Sequence, residues 1–211
     1  MTRTLRNIAA TTMALAALYG SAALAQGKGE TVKFQDYPGL GNTLMRVGGR
    51  GWEYGDEGSG AFITTEAVRR CVRALDGMLT TTPLLNRIAD VAETTDAGAF
   101  ATWARRRADL DGRGFLLPLI AEAAADGDRD ARNLLQGAGG WLARLARTAH
   151  QKIASNTDII HVRAVGGLWE TGPFIGDAAV AALQKWYATV DFQQFDGSHL
   201  DGGTRLAKNI V

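Results

Sequence analysis

The residues best placed to do chemistry lie in one stretch, Arg46–Gly60, RVGGRGWEYGDEGSG. Six of its fifteen residues are glycine, at positions 48, 49, 51, 55, 58 and 60, interleaved with Glu53, Asp56, Glu57, Trp52 and Tyr54. Glycine serves where the backbone needs a positive φ or must approach another group closely, and it costs roughly 0.5–1 kcal/mol against alanine in a regular element. A plain linker is Gly/Ser-rich without aromatics. The stretch therefore reads as a shaped loop that brings carboxylates and backbone N–H groups up to a ligand. The plainer alternative for Asp56-Glu57 is a solvated turn beside a helix start. A second glycine pair, Gly166-Gly167, directly follows the apolar run DIIHVRAV (Asp158–Val165) and precedes a helical pattern. Strand, Gly-Gly and helix together can present backbone N–H groups to a nucleotide.

Other chemistries find no support. No HExxH or CxxC metal spacing, no GxSxG nucleophile elbow and no GxxxxGK[ST] phosphate loop occurs. The three histidines, 150, 161 and 199, are too far apart in sequence to form a readable ligand set, and no metal ligands are assigned. The single cysteine, Cys71, rules out an internal disulfide framework. It falls on the apolar stripe of a helix, which makes it a core residue rather than a reactive thiol.

The elements that must position the two glycine pairs are mostly helices. Thr64 or Thr65 is expected to cap a first helix with the stripe Ala67, Val68, Cys71, Val72 and Leu75, ended by Asp76-Gly77. Further helices are expected over Pro83–Ala92, Ala97–Ala108 and Leu117–Ala125, with Arg105-Arg106-Arg107 as a solvated helix end. The longest helix is expected over Asp128–Ile153. Gly137, Gly139 and Gly140 interrupt it, so either another backbone packs closely there or the helix bends. His150, near its end, reads as a surface or capping residue. Two short strands are expected, Asp158–Val165 and Val190–Phe195, flanking a helix over Phe174–Tyr187. A short terminal helix is expected over Gly202–Ile210.

Composition is that of a globular protein: 211 residues, 46% hydrophobic and 21% charged, with a formal net charge of +1. That balance marks no nucleic-acid binder and no polybasic membrane binder. Residues 1–25 carry Arg3 and Arg6, a short apolar run and Ala23-Leu24-Ala25 before Gln26, the pattern of a secretory signal peptide. The apolar run is shorter than the ~20 residues a spanning helix needs. Export to the periplasm or medium is expected on this reading, with no stable membrane anchor after cleavage. Residues 26–43 read as a linker or short strand, with Val32-Lys33-Phe34 as the strand candidate.

From residue 44 onward the chain resembles BadF-type ATPases, a group that includes N-acetylglucosamine and glucosamine kinases. The resemblance is carried by VGGRGWEYGDEGSGAFI (Val47–Ile63), EAVRRCVRALDG (Glu66–Gly77), HVRAVGGLWETGPF (His161–Phe174) and DGGTRLA (Asp201–Ala207). It implies an α/β fold: a partial lobe of the sugar-kinase, actin and heat-shock-ATPase type, helix-rich with a small sheet, over residues 44–211. It implies that Gly48, Gly49, Gly51 and Asp56 lie at an amino sugar, and that Gly166 and Gly167 lie near the adenosine of ATP, with Mg2+ as the accompanying ion. Trp52 or Tyr54 would then stack on a sugar face, or else serve as core aromatics. Two departures stand out. Position 50 is arginine where the family usually has tryptophan. The family's phosphate loop and catalytic aspartate, which belong to its first half, have no readable counterpart in residues 1–43, so the catalytic residue is unassigned. A partner supplying that lobe, or a homodimer partner, follows as an expectation. The family itself is cytoplasmic, at odds with an export signal. The alternatives are an exported, non-enzymatic sugar-binding protein and a fused or truncated reading frame.

Overall fold

The computed structural model describes residues 47–153 and 158–195. The expected signal peptide, the strand candidate at Val32-Lys33-Phe34 and the terminal helix at Gly202–Ile210 lie outside the described residues.

Among the described residues six helices and two strands follow one another: α1 (Gly60–Leu75), α2 (Pro83–Ala92), α3 (Ala97–Asp111), α4 (Leu117–Ala125), α5 (Arg129–Ile153), β1 (Ile159–Val165), α6 (Pro173–Leu183) and β2 (Thr189–Phe195). A 3₁₀ turn over Gly167–Thr171 joins β1 to α6. Four helix starts are capped by a side chain, and α4 and α6 carry a proline in the first turn instead. Ser59 Oγ accepts from the Phe62 N–H at 3.1 Å, Thr82 Oγ1 from Leu85 at 3.4 Å, Asp96 Oδ1 from Ala99 at 2.7 Å and Asp128 Oδ1 from Ala131 at 2.8 Å. These side chains satisfy N–H groups that have no partner within the helix.

Three expected boundaries move by more than one residue. Helix α1 starts four to five residues before Thr64 and Thr65, because Ser59, set in extended backbone, caps it. Thr64 is an interior, buried position of that helix. Helix α3 runs past Ala108 to Asp111 and stops at Gly112, whose φ is +88°. The arginine triplet is therefore exposed but within the helix, and Arg107 pairs with Asp111 one turn on at 2.8 Å. Helix α6 ends at Leu183 rather than Tyr187; the next residues turn back on Ala182 and Leu183 through the N–H groups of Lys185 and Trp186.

The two strands pair in parallel, Ile159 opposite Thr189 through Val165 opposite Phe195. Parallel neighbours need a crossover, which the 3₁₀ turn and α6 supply. Helix α5 is the wall between two cores. Its Leu134, Leu135, Ala138 and Leu142 pack with α1–α4, against Ile63, Cys71, Ile88, Phe100 and Ile120. Its Ala143 and Ala146 pack with Ile160, Val162, Ala179 and Leu183 of the strand–helix–strand unit. The choice left open at the three glycines is settled by packing. A Cβ at Gly139 would fall on the Ile175 carbonyl oxygen and lie 3.0 Å from the Ala178 Cβ, whereas Gly137 and Gly140 face open space. Gly139 lets α6 lie directly on α5.

Candidate sugar and nucleotide loops

The glycine-rich stretch folds back on itself and onto α5. The Gly51 carbonyl accepts from the N–H of Tyr54 at 3.3 Å and of Gly55 at 2.8 Å, and the Asp56 carbonyl accepts from Ser59 N–H at 2.9 Å. Asp56 has φ of +61°, a left-handed conformation uncommon for a side-chain-bearing residue, though aspartate tolerates it better than most. That conformation turns its half-buried carboxylate inward, where Oδ1 accepts from the Gly51 N–H at 3.3 Å. Among the described residues Oδ2 has no hydrogen-bond partner. The carboxylate is thus oriented by one oxygen and presents the other.

Gly58 fastens the loop. Its φ is +80°, and a Cβ there would sit 2.7 Å from Leu142 Cδ2 and 2.8 Å from the Ala138 carbonyl oxygen. A carbonyl of the helix backbone cannot give way, so only glycine fits. Gly48 lies over the same helix, against Leu145. Gly58 was not among the residues singled out in the sequence; its place in the run of six glycines was the available signal, but nothing local told it apart from its neighbours.

Trp52 and Tyr54 are not core aromatics. Trp52 is 46% and Tyr54 86% exposed. The Arg113 guanidinium lies 3.6 Å from the Trp52 ring centroid, a cation–π contact that holds the indole between the loop and the end of α3.

The second glycine pair stands at the end of β1. Gly166 has φ of +106°, and its carbonyl accepts from Trp169 N–H at 3.3 Å. At Gly167 a Cβ would meet nothing nearer than Glu170 Oε2 at 3.9 Å, so the turn is open to an approaching group. Trp169 is buried beneath it with its ring 5.5 Å from Phe192, and among the described residues its indole N–H has no partner. The two glycine elements do not lie in one loop; they are joined through α5, where the Gly58 contact at Ala138 and Leu142 and the Gly139 contact with α6 fall within one helical turn.

Other candidates resolve plainly. Cys71 is buried, and burial pushes its thiol up to about 12, so it stays protonated and inert. His150 is not a surface residue: it is 2% exposed, and Tyr187 covers it. His161 pairs with its register partner Asp191 at 2.8 Å across the two strands. Among the described residues no group of three or more His, Cys, Asp or Glu could hold a metal ion, and no helix is long and apolar enough to cross a membrane.

The architecture, a helix-rich body with a small parallel sheet and a clamped glycine-rich loop, is that of a partial sugar-kinase-like α/β fold. No family model matches the sequence, and no curated protein does. Among solved structures, the chain is similar to a Chromobacterium violaceum protein provisionally named an N-acetylglucosamine kinase, with 26% identity and a TM-score of 0.60. The match covers 78% of this chain and 52% of that protein, so the chain spans about half the length of its structural neighbour.

Proposed function

We propose that this chain is a lobe of an ATP-dependent amino-sugar kinase-like protein, with N-acetylglucosamine or glucosamine as the sugar, bound at the loop of Gly48, Gly49, Gly51 and Asp56. The observation that carries the reading is the Asp56 carboxylate, fixed through the Gly51 N–H with its second oxygen free. A carboxylate so held accepts sugar hydroxyls through charge-assisted hydrogen bonds, the stronger kind. Trp52 and Tyr54, exposed on the same loop, offer ring faces to the sugar. The likeness to a protein provisionally named an N-acetylglucosamine kinase supports the choice of sugar class.

The Gly166-Gly167 turn fits the nucleoside end of ATP, being open and free of side chains at its crest. The described residues offer no set of groups for Mg2+. When bound, ATP would supply the phosphoryl group; this chain's residues would bind and orient the sugar and hold the nucleoside. The base and phosphate donors that phosphoryl transfer requires are not assigned to residues of this chain.

Calorimetry with N-acetylglucosamine and glucosamine tests the reading, run on the full chain and on Asp56→Asn. A hydrogen bond to a charged group is worth ~1.5–3 kcal/mol, so binding should weaken roughly 10- to 100-fold while the melting temperature holds. Unchanged affinity with a lowered melting temperature would make Asp56 a turn residue and remove the sugar assignment.

A further inference from the structure

A groove of about 680 Å3 lies between α1 and α3, with Trp52 and Phe115 in its lining. It follows from helical spacing. Val68 and Val72 on α1 and Ala101 and Ala104 on α3 floor it, while Arg69, Arg73, Arg105 and Asp109, each one turn from its neighbour, form its walls. Arg113 joins them from beneath its contact with Trp52.

The charges do not cancel. Arg69 is taken by Glu66 at 2.7 Å. Among the described residues Arg73, Arg105 and Arg113 have no carboxylate partner within ion-pair distance. Three guanidiniums against the single carboxylate of Asp109 leave a local charge of +2 around an apolar floor.

We propose that this groove binds an organic phosphate monoester. The dianionic head, carrying −1.5 to −2 charges near neutral pH, matches the uncompensated arginines, whose planar forks suit phosphate. The ester's apolar body lies on Val68, Val72 and Phe115. A monocarboxylate neutralises only half of the charge, and inorganic phosphate leaves the floor uncovered. The inference shares only Trp52 with the sugar assignment and uses neither Asp56 nor the glycine turns.

Calorimetry on the full chain tests it with three probes: phenyl phosphate, inorganic phosphate and benzoate. Phenyl phosphate should bind about tenfold or more tightly than either of the others. The double variant Arg73→Gln/Arg105→Gln should weaken it at least tenfold, because both positions offer charged hydrogen bonds. Arg105→Gln alone, at an exposed position of α3, should keep the melting temperature and lower affinity by roughly two- to tenfold; it decides the matter if the double variant melts early. No binding of phenyl phosphate, equal binding of inorganic phosphate, or unchanged affinity in a folded variant overturns the proposal.

Discussion

The Nδ1 atom of His150, near the end of α5, lies 3.1 Å from the hydroxyl of Tyr187, just past the end of α6. The rings meet edge to face with centroids 5.0 Å apart. Burial holds the imidazole below its ordinary value near 6.5; a hydrogen bond to Ile159 works against this and the neighbouring His161 adds to it. The unfolded chain therefore takes up a proton at His150 before the folded chain does. Stability from this site is full above about pH 6.5 and falls as the pH drops below that, by up to about 1.4 kcal/mol per pH unit. Melting curves from pH 7.5 to 5.5 should show the decline, and His150→Gln should show less of it. Identical slopes in the two proteins would place the acid sensitivity elsewhere.

The glycines of α5 and its loop should respond in opposite directions to alanine. Gly137→Ala, at a helical position facing open space, should stabilise by about 0.5–1 kcal/mol. Gly139→Ala would press a methyl group on the Ile175 carbonyl, and Gly58→Ala would add positive-φ strain to a clash with Ala138 and Leu142. Each should cost about 1–3 kcal/mol. Urea denaturation of the three variants measures the order; a stabilised Gly139→Ala would mean that α6 does not rest on α5 as described.

The chain alone should not release ADP at a kinase-like rate in the presence of N-acetylglucosamine or glucosamine. The motivation is that no phosphate loop and no catalytic base is readable in it. A coupled assay checks this. Strong sugar-dependent turnover would show that residues of this chain supply both.

If Arg3, Arg6 and Ala23-Leu24-Ala25 form an export signal, the mature protein begins at Gln26. Mass spectrometry of protein from the periplasm or medium should find that N-terminus. An intact Met1 chain recovered from the cytoplasm would dismiss the signal.

Helices α2 and α4 keep the bounds read from sequence, because a proline in the first turn is local punctuation that needs no tertiary context. The strands were nearly as legible, from their β-branched content. The start of α1 was not: Gly60 reads as the last residue of a glycine loop, and only the extended backbone at Ser59 makes it the first of a helix. His150 was misread because the residue that buries it lies 37 positions away. The same holds for the site. The glycine runs and Asp56 stand out in the sequence, but which glycine fastens the loop depends on Ala138 and Leu142, and the role of Gly139 on Ile175. Arg105 reads from sequence as part of a solvated helix end, and that it lines a groove with Arg69, Arg73 and Arg113 depends on how α1 and α3 pack.

Gly58 and Gly139 press backbone against backbone on a single turn of α5, one from the loop and one from α6. Contacts of that kind have no side-chain rotamers to absorb a displacement. The loop and the strand–helix–strand unit are therefore expected to move together, like two arms cast onto a single axle. Any opening or closing over a bound ligand is expected outside this piece rather than inside it.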